Sequence, residues 1–379
     1  MAHSGRFVVF AQMSTCDPEQ TSIPSDHDLP QLPPLTSLAA GKMPCREICK
    51  TDFDRLCLNN MGVFMVRLPV IFLLGIFWAS LSSLSAFGQS CGTTPLDVQI
   101  LGSGGPRMNP TRASTSYLVW IEGRARILID MGGGAQHRFG ESQAKLEDLW
   151  MVGISHLHPD HVSDLPAFLW LSHEVRKEPL KVFGPTGNDA APDFAIFLNR
   201  LFDEKTGAFP VLGSALGGSY GGSGVRPDMG RVVAGGVRLD VGVIDAVKSD
   251  PSVVLQREGT TVTARKIPHG NMPTLAYRVQ TGNVSIVFSS DQNGTDPAFV
   301  EFAKGANLLI MHLAIAPGAN VPLHATPAVV GRVAQEAAVK QLIVSHFGLF
   351  ELDAAIADLR TAYNGPLIVG ADMQCTPVL

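Results

Sequence analysis

Five apolar segments of this chain are each followed, at once or after one residue, by a histidine or an aspartate. The segments are short, apolar and bounded by turn residues, which is typical of buried β-strands. The residues that follow them are His156, His269, Asp291, His312 and His346. Side chains at one end of several strands can meet at one place. We therefore expect a fold in which these strand ends form a single site.

The densest part of this pattern is the six-residue motif His156-Leu157-His158-Pro159-Asp160-His161. Residues 149–154 before it read as a strand, and residues 162–173 after it read as a helix. Imidazole is the commonest metal ligand in proteins, and sets of His and Asp suit zinc. The alternative is a polar loop that is merely rich in histidine. That alternative does not account for the partners at the later strand ends.

Asp130 ends another predicted strand and precedes three glycines. A carboxylate at the end of an apolar strand is costly to bury unless it is paired. We interpret Asp130 as a residue that orients a metal-binding histidine from behind, with a surface turn as the alternative. Asp164 and His173, at the two ends of the helix after the motif, are expected to be helix residues rather than ligands.

The remaining chain alternates short strands with helices. Strands in separate hairpins, together with helices, indicate two sheets with helices outside rather than one doubly wound sheet. Residues 213–236 hold nine glycines and are interpreted as a mobile flap over the site or as a surface insertion. The other predicted strands are residues 96–101, 116–122, 126–129, 180–183, 237–243, 252–257, 261–267, 274–280, 284–289, 308–311, 342–344 and 367–371, and the other predicted helices are residues 143–149, 193–202, 327–339 and 353–363.

The first 88 residues differ from the rest. Residues 1–60 show no clear hydrophobic period and hold four of the six cysteines, and we interpret them as a disordered leader or as a start codon placed too early. Residues 61–88 then read as a signal peptide, with Arg67, an apolar core at 68–78 and small residues before the end. An uncleaved membrane anchor is the alternative. We expect export to the periplasm or secretion, and one folded domain over residues 89–379.

Cleavage of that peptide would leave two cysteines, Cys91 and Cys375, near the two ends of the mature chain. In an oxidising compartment they are a disulfide candidate, and two separate buried thiols are the alternative. The formal net charge of the whole chain is −5, and no run of Lys and Arg appears. This charge pattern argues against non-specific binding of nucleic acid.

The motif and its later partners resemble the metallo-β-lactamase superfamily, and within it the ribonuclease Z branch. The likeness covers about residues 95–375. Besides the six-residue motif and Asp130, the segments that carry it are Leu101-Gly102-Ser103-Gly104-Gly105, Lys266-Ile267-Pro268-His269, Ala276-Tyr277-Arg278-Val279, Ser289-Ser290-Asp291 and Ser345-His346-Phe347.

The resemblance implies an α/β (α+β) fold, an αββα sandwich of two mixed β-sheets flanked by helices, with two zinc ions per chain. The first zinc would be held by His156, His158 and His269, the second by Asp160, His161 and His346, and Asp291 would bridge them. A water between the metals would be the nucleophile, since two zinc ions lower the pKa of such a water.

Asp160 and His312 are the predicted catalytic residues. His312 would protonate the leaving group, although Leu313 stands where the resembled branch has a glutamate. The alternative for His312 is a structural hydrogen bond at a strand end.

The branch members that process tRNA carry a long arm between the third histidine and the bridging aspartate. Here that interval holds only a hairpin around Thr281-Gly282-Asn283. We therefore expect an exported zinc hydrolase of a small-molecule ester, a phosphodiester first, with no nucleic-acid partner and no membrane contact after cleavage.

A β-lactam, lactone or sulfate-ester hydrolase is the first alternative, because the same zinc chemistry serves all of them. A non-catalytic zinc-binding interaction protein is the second. A homodimer through Phe168 and Trp170 is an open alternative to packing of these two residues in the core.

Overall fold

The computed structural model describes residues 91–379 apart from 172–177, 218–224, 227–230, 233–236, 249 and 320. The predicted leader and signal peptide, His173 and most of the glycine-rich segment lie outside the described residues. Within the described part of the chain, no helix combines the length and the apolar character needed to cross a membrane.

The elements alternate along the chain as short strands and short helices. The strands are β1 (Leu96–Gly102), β2 (Ser116–Ile121), β3 (Arg124–Ile129), β4 (Met151–Gly153), β5 (Leu180–Pro185), β6 (Val225–Arg226), β7 (Arg231–Val232), β8 (Leu239–Ile244), β9 (Ser252–Arg257), β10 (Thr260–Ile267), β11 (Thr274–Thr281), β12 (Val284–Phe288), β13 (Leu308–His312), β14 (Leu342–Ser345), β15 (Leu367–Val369) and β16 (Cys375–Pro377). The helices are α1 (Ala135–Glu141), α2 (Pro159–Val162), α3 (Leu165–Leu171), α4 (Phe194–Phe202), α5 (Pro297–Ala303), α6 (Pro327–Glu336) and α7 (Leu352–Arg360), and short 3₁₀ helices lie at Leu146–Asp148 and Pro210–Leu216.

Two seven-stranded sheets are found in the described ranges, with a two-stranded hairpin of β6 and β7 beside them. The first sheet has the order β16-β1-β2-β3-β4-β5-β8, and the second has the order β15-β14-β13-β12-β11-β10-β9. In each sheet the hairpin-connected strands are antiparallel. In the first sheet β3, β4, β5 and β8 are parallel to one another. In the second sheet β12, β13, β14 and β15 are parallel to one another. Both sheets are therefore mixed.

The sheets are joined by a core of alternating residues from their facing sides. Val98, Val119 and Ile127 of the first sheet belong to the same buried cluster as Val262 and Phe288 of the second. Successive side chains of a strand point to opposite faces, so the residues between these face outward. The alternation places one apolar face of each sheet against the other.

The outward faces are also apolar because helices cover them. Leu128 and Val152 of the first sheet share a cluster with Phe168 of α3 and with Phe194 and Leu198 of α4. On the second sheet, Leu309 and Val344 pack with residues of α5, α6 and α7, namely Phe299, Val330 and Leu359. The predicted αββα sandwich of two mixed sheets flanked by helices is confirmed.

Two local expectations are wrong. The helix expected over residues 143–149 is only the 3₁₀ turn Leu146–Asp148, and the helix instead precedes it as α1. Gln143 has a left-handed backbone, with φ 59°, which an α-helix of L-residues does not continue. The single helix expected over residues 162–173 is two short helices, α2 and α3. α2 begins at Pro159, because proline is favoured at the first helical position.

The strand β16 was not predicted, since three residues are too few to show a period. It pairs antiparallel with β1, with Val98 opposite Thr376. The structure also joins Cys91 and Cys375 in a disulfide, with their Cα atoms 5.4 Å apart. The segment before β1 is thereby tied to the outer edge of the first sheet.

Candidate metal centre

The side chains of the site come from strand ends that lie at one edge of the sandwich. His156 and His158 follow β4, His269 follows β10, Asp291 follows β12 and His346 follows β14. β10 runs in the same direction as β12 because each is antiparallel to β11, and β12, β13 and β14 are parallel. The carboxyl ends of these strands therefore share an edge, where ligand sites of open α/β sheets also lie.

Three imidazoles, here called the histidine group, converge at one point: His156, His158 and His269. The Nδ1 atom of His158 lies 3.0 Å from Nε2 of His156 and 3.3 Å from Nε2 of His269. A tetrahedral zinc ion with bonds of about 2.0–2.1 Å to nitrogen holds its ligand atoms about 3.3 Å apart. The spacing of the histidine group fits such an ion.

A second set, here called the mixed group, contains Asp160, His161 and His346. The Nε2 atom of His346 lies 3.1 Å from Oδ2 of Asp160 and 3.2 Å from Nε2 of His161. Both Asp160 and His161 lie in the first turn of α2, which presents them to the same side. Three donor atoms at this spacing also fit a divalent cation.

Asp291 lies between the two groups. Its Oδ1 is 3.2 Å from Nε2 of His346, and its Oδ2 is 3.8 Å from Nε2 of His269. The carboxylate is buried, and its Oδ1 has no hydrogen-bond donor among the described residues. A buried carboxylate oxygen without a donor is costly, and a cation on each side would remove that cost.

The electrostatics of the two groups differ. Burial lowers the pKa of His156 well below its ordinary value, and burial also lowers the pKa of His158 and of His269. These rings are therefore neutral, which is the form that binds metals. In the mixed group, burial lowers the pKa of His161, but Asp291 and Asp130 outweigh it and raise that pKa well above the ordinary value.

The surrounding imidazole rings keep the carboxyl group of Asp291 ionised. Burial raises the pKa of its carboxyl group, but the neighbouring His346 and His161 outweigh burial and hold the pKa well below the ordinary range. The centre thus offers one permanent carboxylate to both groups.

Comparison with known proteins agrees with this geometry. Residues 96–186, about a quarter of the chain, match the family described as Anti-Pycsar protein Apyc1. Ribonuclease Z of Methanosarcina mazei is 26% identical over 283 residues, covering 66% of this chain and 87% of that protein. Ribonuclease Z of Mycolicibacterium paratuberculosis is 28% identical over 224 residues, covering 57% of this chain and 69% of that protein.

Solved structures show the same fold. The metallo-β-lactamase fold protein YhfI from Bacillus subtilis has a TM-score of 0.56 at 19% identity, covering 74% of this chain and 98% of its own. The short form of human tRNase Z has a TM-score of 0.56 at 21% identity, covering 75% of this chain and 99% of its own. The chain is therefore ribonuclease Z-like in sequence and has the metallo-β-lactamase fold. These likenesses support a metal-dependent hydrolase of the metallo-β-lactamase superfamily.

Two further contacts in this metallo-β-lactamase fold fix the orientation of the ligand rings. His161 Nδ1 lies 2.8 Å from Oδ2 of the buried Asp130, so the ring presents Nε2 to the mixed group. His269 Nδ1 lies 2.9 Å from the carbonyl oxygen of Leu323, so this ring presents Nε2 to the histidine group. Asp130 therefore lies where the sequence placed it, behind a ligand.

Glycine is required where the backbone passes close to the ligands. A Cβ atom on Gly105 would lie 2.8 Å from Cε1 and 2.9 Å from Nδ1 of His346. A Cβ atom on Gly132 would lie 2.1 Å from the carbonyl oxygen of Asp160. Both contacts are closer than van der Waals packing allows, so these two glycines let the loops approach the mixed group.

The predicted proton donor His312 lies behind the centre. It is buried, and its Nε2 accepts a hydrogen bond of 3.3 Å from the backbone N–H of Ala325. Burial lowers its pKa to about 3. The geometry places His312 in a structural position, and its catalytic role stays a prediction.

His324 is the functional candidate that the sequence reasoning missed. Its Nδ1 lies 3.9 Å from Oδ2 of Asp291, and its ring centroid lies 5.1 Å from that of His269. Burial lowers its pKa to about 4. His324 lies in a loop rather than at a strand end, and the sequence signal that marks it is the His-Ala-Thr-Pro segment that opens α6.

Three other residues singled out in the sequence have ordinary places in the fold. Asp164 accepts hydrogen bonds from the backbone N–H groups of Gly134 and Gln136 at the start of α1, and so it is not directed at the metal groups. Phe168 is buried, whereas Trp170 is 42% exposed.

An open cleft of about 780 Å³ borders the mixed group. It is lined by the loop from Gly105 to Arg112 and by Pro159, Asp160 and Ser163. Arg107 is exposed on this loop and lines the same cleft as Asp160. The cleft therefore offers a ligand both Asp160 of the mixed group and the positive charge of Arg107.

Proposed function

We propose that this chain is an exported, dinuclear zinc-dependent hydrolase that cleaves a small phosphodiester. The observation that carries the proposal is the position of Asp291, whose carboxylate lies within 4 Å of both ligand groups. Its Oδ1 is 3.2 Å from His346, and its Oδ2 is 3.6 Å from His161 and 3.8 Å from His269. The donor types, imidazole nitrogen and carboxylate oxygen, are those that zinc accepts. Two ions sharing one carboxylate would supply a hydroxide at neutral pH and polarise the scissile bond.

The chain's own residues have distinct tasks in this reaction. The histidine group and the mixed group would hold the two ions, with Asp291 placed between the groups. Arg107, at the edge of the cleft, attracts an anionic substrate. We assign hydrogen-bond donation to the leaving oxygen to His324, because its neutral ring carries one N–H and lies beside Asp291 and His269.

The choice of a phosphodiester rests on the relatives. The two ribonucleases Z described above match this chain over most of their own length. RNA is therefore a second candidate substrate. The small substrate is favoured because β11 and β12 are joined by a turn of only Gly282 and Asn283, in the interval where the resembled tRNA-processing members carry their long arm.

Export is part of the proposal. The disulfide between Cys91 and Cys375 is typical of proteins in an oxidising compartment. It supports the export that the signal peptide expected over residues 61–88 would provide. Amino-terminal sequencing of the native protein should find a start close to residue 89. A native protein that retains residues 61–88 would exclude cleavage.

The central test combines metal analysis with a substrate panel. Purified protein should hold about two zinc ions per chain and hydrolyse bis-p-nitrophenyl phosphate, and a chelator should remove both properties. The panel adds a cephalosporin, a lactone, an aryl sulfate and a precursor tRNA transcript. His137→Ala is a matched control, because His137 is an exposed histidine on α1.

Each result of the panel has a defined meaning. Turnover of the diester alone supports the proposal, whereas preference for the tRNA transcript supports the second candidate. Preference for the lactam, lactone or sulfate overturns the phosphodiester assignment. One tightly held metal ion and no hydrolysis of any substrate overturns the whole proposal.

A further inference from the structure

We propose that Ser155 is a positioning residue that extends the support of Asp130 to the histidine group. One carboxylate, that of Asp130, would then orient a ligand of each metal group. It holds His161 of the mixed group directly and His156 of the histidine group through the Ser155 hydroxyl. This inference rests on the proposed two-metal site.

Ser155 is bound to Asp130 by both its backbone and its side chain. Its backbone N–H donates to Oδ1 of Asp130 at 2.6 Å, and its hydroxyl donates to Oδ2 at 2.8 Å. The same Oγ lies 3.0 Å from Nδ1 of His156. All three residues are at most 1% exposed, so water does not replace these bonds.

The hydrogen atoms can be assigned from the geometry. Nε2 of His156 faces Nδ1 of His158 at 3.0 Å, inside the histidine group, and must carry a lone pair to bind a metal. A neutral imidazole has one N–H, so the hydrogen of His156 then lies on Nδ1. That N–H needs an acceptor, and Oγ of Ser155 is the nearest one among the described residues.

The serine hydroxyl can accept this bond because its own proton is already placed. An ionised carboxylate only accepts, so the O–H of Ser155 donates to Asp130 and leaves its lone pairs free for His156. Two competing contacts are longer. Ser290 Oγ lies 3.5 Å from Nδ1 of His156, and Ser155 Oγ lies 3.4 Å from Nδ1 of His161, which is itself 2.8 Å from Asp130.

The backbone of Ser155 is fixed independently of its side chain. Its carbonyl oxygen accepts a 2.9 Å bond from the N–H of Leu275 in the second sheet. Its N–H to Asp130 also survives any substitution other than proline. Replacing the hydroxyl with a methyl group therefore removes the link to His156 and keeps the local fold, which separates the positioning role from a purely structural one.

The test titrates metal-free protein with Co²⁺ and follows calorimetric heat and the visible absorption of the bound ion. The wild type should bind two ions in separable steps, and His158→Ala identifies the step that belongs to the histidine group. Ser155→Ala should weaken that step by about 10–100-fold, the usual effect of losing an outer partner of a ligand. The mixed-group step should change by less than about threefold.

Three variants complete the design. Ser155→Thr keeps the hydroxyl and should restore the affinity of the histidine group. Asp130→Ala should weaken both steps. Ser116→Ala is the matched control, because Ser116 is also buried and its hydroxyl donates to the backbone oxygen of Asp130 without reaching a ligand ring. It should leave the ratio of the two affinities unchanged.

The outcomes separate the two proposals. If the wild type binds two ions and Ser155→Ala weakens both steps equally or neither, the positioning role is overturned and the two-metal site stands. A change in the affinity ratio for Ser116→Ala as large as that for Ser155→Ala also overturns it. If the wild type binds fewer than two ions, the proposed function fails first.

Discussion

The two ligand groups sit side by side but are organised by different forces. The histidine group has three imidazoles whose pKa values are lowered by burial, and it has no carboxylate of its own apart from the shared Asp291. The mixed group has Asp160 within the group and Asp130 directly behind His161. The first group therefore depends on the orientation of neutral rings, and the second depends on charge.

This difference shows how the proposed two-metal site would use unequal ligands for its two ions. Backbone and hydroxyl groups hold the histidine group in place, through the Leu323 carbonyl for His269 and Ser155 for His156. A helix turn and the close approach of Gly105 hold the mixed group. We expect changes in geometry and changes in charge to affect the two groups unequally.

The largest effect should come from the residue that joins them. Asp291→Ala should remove both ions and lower turnover of bis-p-nitrophenyl phosphate by at least about 10³-fold, because metal ions contribute several kcal/mol to such reactions. Metal analysis and steady-state kinetics measure this. Asp164→Asn is the control, since its carboxylate caps α1. Two retained ions in Asp291→Ala would show that the groups are independent.

The next effect concerns chemistry rather than binding. His324→Ala should lower kcat by about 10–10²-fold with both metals retained, because it removes the proposed hydrogen-bond donor to the leaving oxygen. His312→Asn should instead lower the free energy of unfolding and leave kcat of the folded fraction within about threefold. The opposite ranking of kcat losses would return the donor role to His312.

A third change should break the mixed group alone. Gly105→Ala places a methyl group against the ring of His346, and we expect the mixed-group affinity for Co²⁺ to fall by about 10–100-fold while the histidine group is unaffected. Gly140→Ala is the control, because a Cβ atom there meets nothing within 4 Å. Equal weakening of both groups would contradict the division between them.

The smallest effect tests the neutrality of the buried rings in metal-free protein. The pKa of His312 is about 3 in the folded state, below its ordinary value of 6.5, so the unfolded state binds the extra proton. Stability is complete above pH 6.5 and falls as the pH decreases towards 3. When the pH falls from 7 to 5, the free energy of unfolding of His312→Gln should decrease by about 2 kcal/mol less than that of the wild type.

Urea unfolding at the two pH values measures this difference. An equal loss of stability in both proteins would mean that His312 is not held neutral by burial. The loss that remains in His312→Gln would report the other buried rings, among them His156, whose pKa is also lowered by burial.

Much of the site could be predicted because its residues follow strands directly. In the sequence, an apolar segment changes abruptly to residues that can bind a metal at four places. These residues are His156, His269, Asp291 and His346, and the structure brings them together. The two mixed sheets follow from the hairpin and helix pattern. The exact pairing of ligands into two groups came from the family resemblance.

The missed parts depend on contacts between distant residues. Ser155 gains its importance from Asp130, 25 residues earlier in the chain, and a serine before a histidine gives no local signal of this. His324 lies in a loop that no strand pattern marks. β16 has only three residues, and its place is set by pairing with β1 rather than by its own sequence.

That pairing has a consequence for how the protein is made. β1 is synthesised long before its outer neighbour β16, and Cys91 precedes its disulfide partner Cys375 by 284 residues. Until β16 is in place, β1 has an open edge that can pair with another chain. Completion of the first sheet is therefore a late step in folding.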